Sequence, residues 1–400
     1  IMGFLTGILV GGVGTAFSYL LSKAAIFRDS HLWIVYLLPV GGLMIVGLYK
    51  LMKVDKDNGT NLVLTSISGK DELPFKMAPL IFLSTVISHF FGASVGREGA
   101  ALQLGGSLGN TIGESFGFRE CDRKILIMTG MSAAFSALFG TPAAAAVFAV
   151  EVAVIGTMYI QALLPCVIAA YTASRLPLAI GIKPERLPLG NVPDMSFVLI
   201  LKLVVLAGLC GVLAIVFCVV MKKTRKYAEK LIKNPWLRVV TGAAVFIGIT
   251  ALTRSTDYYG TGMNVIERAV TEGEAVPYAF ALKLILTALM LGVGFKGGEI
   301  VPTFFVGATF GCAIGKLLGI SPGLAAAAGM ASLFCGVTNC PFAAAIMCFE
   351  LFGFESAPYI LIVTAISYAV SGYCSLYSGQ YCDVSKYSLK MGNTGENTDN

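Results

Sequence analysis

Long apolar runs separated by short polar gaps set the pattern of this chain. They cover about 1–21, 33–52, 76–91, 100–112, 125–139, 142–154 and 158–171, then 197–221, 239–252, 279–293, 302–318, 323–334, 341–352 and 359–373. A polar, Pro-bearing stretch at 183–194 divides the two sets. Several runs are well short of the ~20 residues a helix needs to cross a bilayer. Short apolar segments broken by Gly and Pro, at matching places in two halves, point to a transporter with its binding site between broken helices.

The halves do match. Gly96-Arg97-Glu98-Gly99-Ala100, followed by Gly105, Gly109 and Gly113, aligns with Gly298-Glu299-Ile300-Val301-Pro302, followed by Gly307, Gly311 and Gly315, at a constant shift of 202 positions. The block from Pro142 to Glu151 aligns with the block from Pro341 to Glu350 at a shift of 199. Asn58-Gly59-Thr60-Asn61 aligns with Thr261-Gly262-Met263-Asn264 at a shift of 203. Three blocks in the same order predict an internal duplication. The division expected is a first membrane repeat over 1–182, an external linker over 183–196, a second repeat over 197–379 and a polar tail over 380–400. An odd number of crossings per half would give the repeats opposite orientation.

Composition fixes the medium. The chain is 56% hydrophobic and only 13% charged, where soluble domains hold about 25% charged residues. With a mean hydropathy of +0.79 this is an integral membrane protein. The 46 glycines suit helices that pack closely or break inside the bilayer. The net charge of +6 is densest from Lys222 to Arg238, between two apolar runs. That marks a cytoplasmic loop and not a nucleic-acid surface. The ten cysteines show no Cys-x-x-Cys spacing and read as packing thiols. With two histidines and no His-Glu-x-x-His, neither a metal site nor a catalytic centre nor a cofactor is expected.

The candidate chemistry is concentrated at Gly96-Arg97-Glu98-Gly99, which follows an apolar run and opens a helical pattern. A carboxylate and a guanidinium are costly in such surroundings unless they serve a pathway or a partner. The two glycines permit a sharp turn with free backbone N–H groups, and the helix start that follows is a ready anion site. An anion is expected on this helix start. Glu98 is its built-in competitor, seated there when charged and leaving when protonated. Arg97 and Glu98 are expected to point apart, as neighbours at a helix start do, with Arg97 bracing the loop carbonyls.

The Gly-Arg-Glu-Gly block, its second copy at Gly297-Gly298-Glu299-Ile300-Val301-Pro302, and Tyr377 after the last apolar run together resemble the CLC family of anion channels and anion/proton antiporters. The resemblance spans nearly the whole chain. It implies an all-α integral membrane subunit, an inverted repeat of about eighteen tilted and partial helices, working as a homodimer with one pore per subunit. It places Glu98 at the family's external gating glutamate and Tyr377 at the tyrosine whose hydroxyl lines the central anion site. Departures accompany it. The family's Gly-Ser-Gly-Ile-Pro motif appears as Asp57-Asn58-Gly59-Thr60-Asn61, position 100 is alanine in place of proline, and Glu299 replaces an apolar residue. The internal proton-transfer glutamate of chloride/proton antiporters falls at Val152 and is missing. Asparagine in place of the serine, with that glutamate lost, resembles the bacterial fluoride/proton antiporter branch, CLC-F.

The expected function is therefore proton-coupled export of a halide, fluoride first, across a bacterial plasma membrane, with chloride conduction or chloride/proton exchange as the alternative. Glu98 and Glu299 are the gating and proton-carrying candidates. Anion contacts are expected from Asn58, Gly59, Gly96, Arg97, Gly99, Ile300, Val301 and Tyr377. An amide such as Asn58 offers two donors to a strongly hydrated ion where a hydroxyl offers one, though asparagine is equally a helix cap. Glu151 and Glu350 read as tertiary hydrogen-bonding residues, and Phe304 and Phe305 as packing. An intramembrane enzyme with a Glu98–Glu299 acid pair lacks a nucleophile constellation. A structural scaffold leaves buried charge at broken helices unexplained.

Overall fold

The structure, a computed structural model, describes residues 1–54, 59–190, 192–382 and 386 of the 400. Asn58, one of the expected anion contacts, lies outside the described residues. The helices are α1 (Met2–Ser30), α2 (Leu38–Leu51), α3 (Thr60–Ile67), α4 (Met77–Phe90), α5 (Glu98–Ser115), α6 (Glu120–Phe139), α7 (Pro142–Glu151) and α8 (Leu163–Ala179). After the linker come α9 (Phe197–Leu231), α10 (Pro235–Thr253), α11 (Met263–Glu267), α12 (Ala279–Val293), α13 (Ile300–Leu318), α14 (Pro322–Thr338), α15 (Pro341–Phe352) and α16 (Ala357–Val370). Where about eighteen helices were expected, sixteen α-helices appear among the described residues, with three 3-10 turns and one π-helical turn. The architecture is that of an all-α membrane protein. A two-residue parallel pairing joins β1 (Val154–Ile155) to β2 (Tyr381–Cys382).

Among the described residues six helical stretches are long and apolar enough to cross a membrane, Phe197–Leu231 the longest at 35 residues. Others are half-length, α7 at 10 residues and α15 at 12. Their sequences explain where they start and stop. Proline opens α7, α10, α14 and α15, where no N–H is needed and its fixed φ suits the first turn. Gly140 in the left-handed region (φ 71°) ends α6, and Asn339 (φ 58°) ends α14.

Between helices in lipid there is little hydrophobic driving force, so close backbone approach must supply the attraction. The duplication supplies it twice. A side chain on Gly130 would strike the carbonyl of Gly105, joining α5 to α6; one on Gly329 would strike the carbonyl of Gly307, joining α13 to α14. These four glycines obey the same 202 and 199 shifts read from the sequence. The halves also clasp reciprocally. Glu151, at the end of α7, accepts from Phe342 N–H (3.1 Å) and Ala343 N–H (2.7 Å) at the start of α15. Glu350, on α15, accepts from Ala143 N–H (3.2 Å) and Ala144 N–H (2.9 Å) at the start of α7. Each carboxylate meets the orphan donors of the other helix, so the tertiary role read for this pair is the one the geometry gives. Phe304 and Phe305 are packing residues, in contact with Phe139, Phe334 and Tyr258.

Candidate functional site

The two equivalent loops meet at the centre. Gly96 N–H donates to Gly298 O (2.7 Å) and Gly298 N–H to Gly96 O (2.8 Å), a lone antiparallel bridge. Only glycine allows it: a Cβ on Gly298 would strike Gly99 N, and one on Gly96 would stand 2.8 Å from both Gly298 O and Glu98 Oε2. The bridge brings the N-termini of α5 and α13 together, so two sets of orphan N–H groups and two positive dipole ends converge.

Glu98 fills that convergence. It is fully buried. Its Oε2 accepts from Arg97 N–H (3.0 Å) and, from the other half, Val301 N–H (3.3 Å). Its Oε1 accepts from Arg97 Nε (3.3 Å). The carboxylate thus holds backbone donors of both repeats, the arrangement in which an anion would be held.

The arginine differs from the expectation. Arg97 and Glu98 do not point apart; they form an ion pair. The long reach of the guanidinium, with Arg97 at the N-cap and outside the regular helix, overrides the spacing rule. Among the described residues Arg97 makes no hydrogen bond to a carbonyl, so it does not brace the loop as expected. Its Nη2 meets Glu185 Oε1 at 2.7 Å, and its guanidinium carbon stands 5.7 Å from the Phe139 ring centre. Glu185 lies in the linker, whose Glu185 N–H is held by Phe139 O (3.1 Å) and Leu187 N–H by Leu351 O (2.9 Å). Sequence reasoning missed Glu185; the available signal was an acid inside the Pro-bearing linker.

The remaining candidates divide. Gly99 packs against Gly298, and a Cβ on it would stand 3.0 Å from Thr60 Oγ1 and 3.2 Å from Glu299 Oε2. Glu299 therefore reaches back to the Glu98 loop from the start of α13. Ile300 and Val301 are buried in that first turn. Gly59, at φ 62°, opens α3. Tyr377 is 3% exposed, and its hydroxyl has no hydrogen-bond partner among the described residues. Its neighbours Leu376 and Ser378 line a cavity of about 870 Å³, along with Gly59, Asn61, Gln103 and Glu299. Lys50, Lys222, Arg225, Lys226, Arg238 and Lys296 line its wider parts. Glu98 itself does not line it. Among the described residues no cluster of potential metal ligands occurs.

A family model described as voltage gated chloride channel matches residues 41–372. A chloride/fluoride channel protein of Pseudomonas syringae pv. tomato is 35% identical over 390 residues, 96% of this chain and 86% of that protein. A solved CLC-type fluoride/proton antiporter superposes with a TM-score of 0.91 at 34% identity, covering 95% of this chain and 97% of the other. A slow cyanobacterial chloride/proton antiporter shares the fold at a TM-score of 0.81 and 19% identity, covering 92% and 93%. The match across most of the length, on a scaffold whose two loops pair at Gly96 and Gly298, makes this chain a multi-pass membrane protein of the voltage gated chloride channel (CLC) family.

Proposed function

We propose that this chain exchanges fluoride for protons, exporting the halide from the cell across a bacterial inner membrane as a homodimer. The observation that carries it is the seat of Glu98: a buried carboxylate held by the backbone N–H groups of Arg97 and Val301, one from each repeat. A halide competes for those same donors. The carboxyl can yield them only by becoming neutral or by moving, and a neutral carboxyl carries a proton. Anion release and proton uptake thus share one side chain. Glu299 is the second carrier, between that loop and the cavity. Gly59, Gly96, Gly99 and Ile300 shape the anion path, and the Tyr377 hydroxyl supplies a donor to it.

Fluoride in preference to chloride rests on two supports. One is Asn58 in place of a serine; the other is similarity at about a third identity to proteins described as handling fluoride. The two repeats over 1–182 and 197–379, joined by an external linker over 183–196, belong to the same proposal. The test is purified protein in liposomes, with fluoride efflux and internal pH recorded together. Fluoride efflux with proton uptake is expected from the parent. Glu98→Gln, which keeps the shape but cannot lose a proton, is expected to abolish proton uptake. Proton flux persisting in that variant would remove Glu98 from the mechanism. Chloride outcompeting fluoride in the parent would move the assignment to chloride exchange.

A further inference from the structure

Gln103 has no place in the account so far. It lies on α5 four positions after Gly99, so the two share a helix face. Its side chain is buried, and its Oε1 has no hydrogen-bond partner among the described residues. A buried acceptor left without a partner is destabilising, a cost that a water removes where the site is polar and roomy.

The surroundings meet that condition. Gln103 Nε2 stands 3.3 Å from where a Cβ on Gly59 would be, and Glu299 Oε2 stands 3.2 Å from the corresponding point on Gly99, beside Thr60 Oγ1. Gly59 and Thr60 are consecutive, so amide and carboxylate flank the same start of α3. Both also line the 870 Å³ cavity. Among the described residues that lining holds two carboxylates, Glu229, paired with Arg225 at 3.4 Å, and Glu299, the one beside the Glu98 loop. A proton crossing from Glu98 toward the cavity has Glu299 as its carboxylate stop. An amide oxygen repels a halide but accepts from a water O–H, so the unpartnered Oε1 of Gln103 suits a water on the proton route.

We propose that Gln103 is a positioning residue for proton transfer, its Oε1 holding a water between the basic cavity and the Glu299 carboxylate. The water accepts a proton from Glu299 as it gives one to the cavity side. One O–H bond forms on it for each that breaks, and the amide keeps its own protons. The inference rests on the proton-coupled exchange proposed above.

The test uses the full chain in liposomes with fluoride and pH read together. Gln103→Met keeps the length of the side chain and removes the amide; Gln103→Glu keeps an acceptor. In Gln103→Met the fluoride moved per proton is expected to rise about fivefold, the worth of one net hydrogen bond. In Gln103→Glu the ratio is expected to stay near the parental value. A parental ratio in Gln103→Met overturns the proposal. So does loss of fluoride transport in Gln103→Glu while Gln103→Met retains it, since that marks an anion contact. If Gln103→Met does not elute as an assembled protein, Gln103→Asn replaces it, with a smaller rise expected and a parental ratio equally fatal. A parent that moves no protons would sink the exchange mechanism instead, so the two failures are distinct.

Discussion

At the residue scale the question is what keeps a carboxylate inside a membrane protein in a position it can leave. Of the donors that hold Glu98 only one carries charge: Arg97 Nε at 3.3 Å, longer than a strong charge-assisted bond. The short contact of that guanidinium goes to Glu185 instead, at 2.7 Å. Arg97 is thus anchored by the linker and lends Glu98 part of its charge without clamping it. Removing it leaves two carboxylates without their cation, Glu98 fully buried and Glu185 a third exposed. Breaking a buried pair costs about 3–5 kcal/mol, and the exposure of Glu185 argues for the lower end. Arg97→Gln should therefore lower the unfolding midpoint in detergent markedly, and Arg97→Lys should recover part of it, keeping the charge without the planar fork. An Arg97→Gln midpoint equal to the parent's would show the pair to be incidental. The sequence made Glu98 legible because a charge between two glycines in an apolar chain has few uses. It did not make Glu185 legible, because a partner 88 positions away in a polar linker has no periodicity to betray it.

At the element scale the duplication does structural work that neither half could do alone. Short helices such as α7 and α15 end inside the protein, where four N–H groups at each start need acceptors. Glu151 and Glu350 supply them across the repeat boundary, with four bonds of 2.7–3.2 Å in all. Glu350→Ala should strand the N–H groups of Ala143 and Ala144, at about 1–3 kcal/mol for each unpaired donor. Glu350→Gln should lose less, since its amide oxygen still accepts. Glu151→Ala should resemble Glu350→Ala, because it strands the equivalent pair at Phe342 and Ala343. Unfolding midpoints of the three variants decide it: a harmless Glu350→Ala, or a Glu151→Ala that differs grossly from it, would contradict the reciprocal clasp. The bond from Arg186 Nη1 to Glu350 O (2.7 Å) goes to the backbone and is open to all of these variants. The matched Pro-to-Glu blocks were legible as a repeat. That each glutamate serves the other's helix was not, because a shift of 199 positions states equivalence and says nothing of contact.

At the scale of the whole molecule the basic residues take on a second meaning. The run from Lys222 to Arg238 reads from sequence as a topology signal, and the positive-inside rule needs nothing more. In the folded chain Lys222, Arg225, Lys226 and Arg238 share one cavity with Lys50 and Lys296, drawn from segments nearly 250 positions apart. Among the described residues, six cations against Glu229 and Glu299 leave an excess of positive charge, and a low-dielectric cleft focuses such a field and raises the local anion concentration. Packing alone reveals this, because the same lysines would satisfy the topology rule on an open loop. The consequence is kinetic. Screening shortens from about 10 Å at 0.1 M salt to about 3 Å at 1 M, so fluoride transport below saturation should slow as an impermeant salt is added. Lys222→Gln with Lys226→Gln should begin slower and respond less to salt, with proton coupling intact because neither residue touches Glu98 or Glu299. The decisive measurement is the slope of initial rate against ionic strength, parent beside double variant. Equal slopes would mean that the cavity's charge serves orientation only, and that the anion reaches the paired helix starts without being steered.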